Sequence, residues 1–157
     1  KNHIELPAGK VSFKIAGAGG GGGASGNGHD GGDTTRFGCT SKGGNAGRKA
    51  YYHTSPGALA VGIIASGLSG IVKLSGGGEG GQAGGHPVET VLLGGILGGV
   101  HTVQTFGLGG DGQSGNLLIV VKEMTAGDKE SFSLGTGGIS TTASSGKDGF
   151  VEVEYIN

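Results

Sequence analysis

The residues best suited to contact chemistry are Arg36-Phe37 and the cluster Arg48-Lys49-Ala50-Tyr51-Tyr52-His53. Tyr and Arg dominate binding hot spots, tyrosine through a large amphipathic face and arginine through a forked set of donors. Positions 48–53 also hold two of the three tyrosines in the chain. Arg36, Phe37, Arg48, Tyr51, Tyr52 and His53 are therefore the candidate contact residues. The competing reading makes Tyr51 and Tyr52 a cap on the core edge. The loops around His86-Pro87 and His101 are secondary candidates.

The motifs of catalysis are missing. Gly17-x-Gly19-x-x-Gly22 follows a predicted strand, but a dinucleotide fingerprint needs a helix directly after it, and residues 23–50 are too rich in Gly, Asn, Asp and Thr to supply one. No Gly-x-Ser-x-Gly elbow occurs. The glycine-lysine pairs Gly9-Lys10 and Gly146-Lys147 are followed by Val11 and Asp148, where a phosphate-binding loop requires Ser or Thr. The five histidines are scattered without the short paired spacing of zinc sites, and Cys39 has no histidine beside it in sequence to activate it. Residues 26–33, Gly-Asn-Gly-His-Asp-Gly-Gly-Asp, resemble one glycine-aspartate calcium turn of a β-helix repeat. Such sites need stacked copies, so Asp30 and Asp33 are expected in a solvated turn, with calcium the alternative. The expectation is a protein with no enzymatic activity, no cofactor and no metal.

Composition narrows the setting. There are 41 glycines and 3 prolines in 157 residues, which rules out a helical domain. Disordered chains combine low hydrophobicity with high net charge. Here hydrophobic residues make up 34% and the net charge is -1, which points to one compact domain over residues 1–157. With 11 Lys+Arg against 12 Asp+Glu, no basic field is available to collect nucleic acid. A single cysteine cannot form an intrachain disulfide, and the N-terminus lacks the apolar stretch of a signal peptide, which fits a mature fragment or another export route. Residues 54–72 and 90–110 are nearly free of charge, but their Gly and Pro content argues against membrane insertion.

These residues must be positioned by short extended elements. Val11-Ser12-Phe13-Lys14-Ile15 and Phe150-Val151-Glu152-Val153-Glu154-Tyr155 alternate apolar and polar residues, the pattern of half-buried strands. Residues 59–65, 71–74, 88–93, 100–106, 117–121 and 131–134 read as further strands or extended segments. Between them glycine recurs every third residue, at Gly17, Gly20, Gly23 and Gly26, at Gly78, Gly81 and Gly84, and at Gly109, Gly112 and Gly115. Three residues per turn is the period of the polyproline II-type helix, which polyglycine can adopt. Such helices leave their backbone groups unpaired unless neighbours pair them laterally, and absent side chains permit the close approach this needs. The expected class is mainly β and irregular, without substantial helix, its glycine segments packed as polyglycine II-type helices in a glycine-rich sandwich.

The opening Leu6-Pro7-Ala8-Gly9-Lys10-Val11-Ser12-Phe13-Lys14-Ile15-Ala16-Gly17-Ala18-Gly19, and the ending from Ser144 to Tyr155 with Gly146-Lys147-Asp148-Gly149-Phe150-Val151, resemble the glycine-rich domain of bacteriophage tail-fibre tips. The resemblance implies a receptor-binding adhesin on the virion, of the T-even style, in which a polyglycine sandwich alternates with loops that contact outer-membrane proteins or surface glycans. It also implies a bacterial surface receptor and a fibre protein, or further copies of the chain, as partners. Two features depart from that pattern: no fibre-attachment domain is evident, and the apolar runs between Leu59 and Val121 are unusually strand-like. The alternatives are a self-assembling subunit of an extracellular fibre and a membrane-active protein.

Overall fold

The computed structural model describes residues 2–6, 9–50, 57–94, 100–125 and 128–156. The protein is mainly β, with no helix among these residues. β1 (Asn2–Leu6), β9 (Asp128–Ser133), β3 (Thr34–Arg36) and β4 (Cys39–Ser41) form one antiparallel sheet in the order β1-β9-β3-β4. β10 (Phe150–Tyr155), β2 (Gly9–Ala16), β8 (Leu117–Met124) and β5 (Ser69–Lys73) form a second, ordered β10-β2-β8-β5. β6 (Gly85–Gly94) and β7 (Val100–Leu108) pair as a separate hairpin.

The period-two pattern of the sequence decides what the second sheet buries. Val11, Phe13 and Ile15 of β2 are fully buried, while Lys14 faces water. Across the ladder Ile15 lies opposite Leu118, and Phe13 opposite Val120, so the buried residues share one face. Cys39, Met124 and the half-buried Phe37, Ile64, Leu68, Val151 and Val153 complete the core. The Cys39 thiol is buried within it and accepts the Ala65 N–H at 3.3 Å. On the outer face Lys14 and Glu152 meet at 3.9 Å, an exposed pair of little energetic weight.

Residues 59–65 differ from expectation. Only Ile63 is bridged, to Thr40, and no strand forms. Gly62 is the buried residue there, because a Cβ would sit 2.7 Å from both the Leu118 side chain and the Thr40 carbonyl oxygen. Val61 and Ile63 consequently turn outward, 59% and 61% exposed.

Seven glycine-rich runs make the second half of the body: run 1 (17–24), run 2 (28–33), run 3 (42–50), run 4 (77–84), run 5 (109–116), run 6 (135–139) and run 7 (144–149). Run 1 is buried throughout. Its N–H groups cycle through three acceptors in turn. Gly17, Gly20 and Gly23 donate to Asn116, Gln113 and Gly110 of run 5. Ala18 and Gly21 donate to Gly32 and His29 of run 2, and Gly19 and Gly22 to Lys147 and Ser144 of run 7, all at 2.8–3.1 Å. The descending partner numbers make these three neighbours antiparallel to run 1.

The carbonyls of run 1 serve the three parallel neighbours. Ala18, Gly21 and Ala24 accept from Gly44, Gly47 and Ala50 of run 3; Gly17, Gly20 and Gly23 accept from Gly78, Gly81 and Gly84 of run 4; Gly19 accepts from Gly138 of run 6. The six outer runs are bonded to one another in the ring order 3-5-4-7-6-2 and back to 3, alternating in direction. Run 1 is therefore enclosed by six chains, with its backbone groups paired sideways. This explains the glycine content: at most glycines of the runs an added Cβ would lie under 3.0 Å from a neighbouring backbone atom.

The two ends of this bundle are different. At one end β2, β3–β4, β8, β9 and β10 lead directly into or out of the runs. Buried hydroxyls seat the junction: Ser41 Oγ accepts the Gly17 N–H and donates to the Asn116 carbonyl, both at 3.0 Å, and Thr34 Oγ1 accepts the Gly135 N–H at 3.0 Å. At the far end run 1 turns into run 2 over 25–27, the chain leaves run 3 after Ala50, the β6–β7 hairpin joins run 4 to run 5, and 140–143 join run 6 to run 7.

Candidate functional site

The outer surface of the bundle is sealed by side chains at three-residue spacing. Asn27, Asp30 and Asp33 of the run 2 side accept the N–H groups of Lys49, Ala46 and Gly43 in run 3, at 2.8, 2.7 and 2.9 Å. The same device recurs where Asp111 accepts from Ala83, Asp148 from Gly137, and Ser145 from Ser140. At these six positions a short polar side chain from an antiparallel run, or from the residue just before it, accepts an N–H on the parallel side. Asp30 and Asp33 occupy this ladder. Among the described residues no group of three or more His, Cys, Asp or Glu could hold a metal ion.

Over the seam between runs 2 and 3 lies an open groove of about 430 Å³, with Asn27, His29, Asp30, Asn45, Arg48 and Gly57 around it. The seam sets its shape. Asn45 donates through Nδ2 to the Gly57 carbonyl and to Gln113 Oε1, at 3.3 Å for the latter, which ties the segment after residue 56 to the bundle. Asn27 and Asp30 are held by the N–H groups they cap. Arg48 is exposed, its backbone fixed by the Gly110 N–H on its carbonyl at 2.8 Å.

The candidate contact residues separate. Arg36 and Phe37 lie in the sheet end, away from the groove. Arg36 is 1% exposed, and its guanidinium carbon stands 4.9, 4.7 and 5.0 Å from the ring centres of Phe13, Phe37 and Phe132. Cation–π attraction and the planar fork suit arginine to this stack. Its expected place in a contact loop is thus corrected: the guanidinium faces the core. Phe37 and Gly38 form the two-residue turn between β3 and β4 with φ of 50° and 75°. A tight turn of this kind needs positive φ at both positions, which glycine accepts freely. Phe37 is held there by an edge-on contact with Phe13 at 4.6 Å and by Lys122 Nζ at 5.4 Å from its ring. Arg48 is on the groove. Tyr51, Tyr52 and His53 lie outside the described residues, in the segment that run 3 enters after Ala50.

Sequence reasoning missed Asn27, Asp30 and Asn45 as groove residues. The three-residue spacing of Asn27, Asp30 and Asp33 was the available signal, since it matches the glycine period of the neighbouring runs. No helix of the described residues is long and apolar enough to cross a membrane. No family model, curated protein or solved structure matches the chain.

Proposed function

We propose that the chain is the receptor-binding tip of a bacteriophage tail fibre, an adhesin without chemistry of its own that attaches the virion to a bacterial surface. The seven runs are read as polyglycine II-type helices in a glycine-rich sandwich, a reading supported by the threefold cycling of hydrogen bonds around run 1. The observation that carries the function is the asymmetry of the two ends. The sheets gather at one end, where a fibre protein would join, and the connections 25–27, the segment after Ala50, the β6–β7 hairpin and 140–143 gather at the other. A rigid bundle holding several loops at one end limits the entropy lost on binding. Gly26, in the loop-end connection 25–27, has open space where a Cβ would be, so a side chain is tolerated there.

A second reading, a self-assembling fibre subunit, is favoured by one feature. β5 is an edge strand, and Ile71, Val72 and Leu74, with nearby Val61 and Ile63, leave apolar surface in water. Against lateral growth of the bundle itself stand the Asx and Ser side chains that occupy six N–H groups at its surface.

The test is binding of the purified, labelled protein to intact Gram-negative cells. The adhesin reading predicts saturable binding to susceptible cells, lost on replacing Tyr51 and Tyr52 by Ala while the fold is retained. Spontaneous filaments that ignore cells would overturn it and support the fibre subunit.

A further inference from the structure

We propose that the groove over the seam between runs 2 and 3 binds an acidic saccharide unit, a hydroxyl-bearing sugar ring carrying a carboxylate or phosphate. The proposal rests on the adhesin reading for its biological setting and on the groove for its chemistry. Three of the groove side chains are fixed by one polar atom and keep another for a ligand. Asn27 caps Lys49 through Oδ1 and retains its NH₂ group. Asp30 caps Ala46 through Oδ1 and retains Oδ2. Asn45 spends its NH₂ group on Gly57 and Gln113 and retains its carbonyl oxygen. One amide donor and two oxygen acceptors are therefore offered by side chains the bundle already holds, a mixed set that suits sugar hydroxyls, which both donate and accept.

Arg48 decides the charge of the ligand. Its guanidinium is exposed beside the groove and forms no ion pair among the described residues. A planar fork of donors fits a carboxylate or phosphate through two parallel hydrogen bonds. The Asp30 carboxylate in the same groove disfavours a ligand that is anionic on every side, such as free phosphate, and favours one that presents hydroxyls there. The lining is polar, whereas sites for apolar side chains or drug-like molecules are lined mostly by apolar groups. The volume of about 430 Å³ lies within the range of ligand pockets.

The test is a titration of the isotope-labelled protein, followed by amide NMR, with glucuronic acid, glucose 6-phosphate and glucose. Expected are saturable shifts at Gly28, Asn45, Ala46 and Arg48 with one or both acidic sugars, at a Kd of about 1 mM. Whichever acid binds tighter identifies the substituent. Arg48→Ala should weaken acidic sugars about tenfold, the loss of a charge-assisted hydrogen bond, and leave weak glucose binding unchanged. Glucose binding as tightly as the acids, no shifts with any of the three, or an Arg48→Ala protein with unaltered affinity would overturn the proposal. Cell binding without saccharide shifts removes this groove assignment and leaves the adhesin reading intact. Saccharide shifts without cell binding do the reverse.

Discussion

Asp30 Oδ1 accepts the backbone N–H of Ala46 at 2.7 Å, and this one bond shows how the glycine bundle ends. Inside the bundle each N–H of Gly17–Gly23 meets the backbone of a neighbouring run, every third one the same neighbour. On the surface the N–H groups of Gly43, Ala46, Lys49, Ala83 and Gly137 meet a carboxylate or an amide oxygen, and that of Ser140 a hydroxyl. The interior can therefore be almost side-chain-free while capped positions on the exterior offer fewer open backbone groups to further chains.

Asp30→Ala should destabilise the protein by about 1 kcal/mol, the usual net value of one hydrogen bond. Asp30→Asn keeps an Oδ1 acceptor and should stay close to the parent in urea unfolding. Equal losses for the two variants would show that charge, not the capping bond, matters at this position.

Gly20 sits at the centre of run 1, where a Cβ would overlap the Asn45 carbonyl. Gly20→Ala should cost about 3 kcal/mol or more, since the obstacle is backbone that cannot swing aside. Gly26→Ala, with nothing near its Cβ position, should change stability by less than about 0.5 kcal/mol. Thermal melts of the pair separate a packed glycine from a flexible one. Similar melting of both variants would be inconsistent with enclosure of run 1.

Arg36 is held by three phenylalanine rings and is almost fully buried. Arg36→Ala should cost about 2–4 kcal/mol through lost packing and ring contacts, and Arg36→Lys should recover only part of it. Full recovery by lysine would mean that charge alone suffices. Cell binding, scored on the folded fraction, should be unaffected by either change.

Ile71 is 54% exposed on the edge strand β5. Ile71→Lys should leave stability within about 0.5 kcal/mol and suppress any association between copies. Light scattering against concentration measures this. Association that persists in the variant would place the contact elsewhere.

The strands at the two ends of the chain were legible because Val11-Phe13-Ile15 and Val151-Val153 alternate with polar residues, and a half-buried sheet imposes that period. The threefold glycine spacing was legible too, although the order in which runs surround run 1 was not, since glycine carries no side chain to specify a partner. Arg36 misled because its type suggests a surface contact; of its three aromatic neighbours Phe13 and Phe132 come from β2 and β9, far apart in sequence, and Phe37 from the turn beside it. Residues 59–65 read as a strand or extended segment, and the structure gives them one bridge and no strand, with Gly62 crowded and buried and Val61 and Ile63 exposed. On the candidate site, Arg48 was visible as a contact residue, while the groove beside it depends on Asn45 reaching Gly57 and Gln113 across the fold.

The central claim is that run 1 is an enclosed, hydrogen-bonded chain and not a linker. Amide hydrogen exchange resolved at Gly19–Gly23 tests it most directly. Their N–H groups donate to Lys147, Gln113, His29, Ser144 and Gly110 in turn, so they should exchange only through global unfolding, orders of magnitude more slowly than the exposed Gly57 and Gly67. Exchange of Gly19–Gly23 as fast as at Gly57 and Gly67 would contradict it.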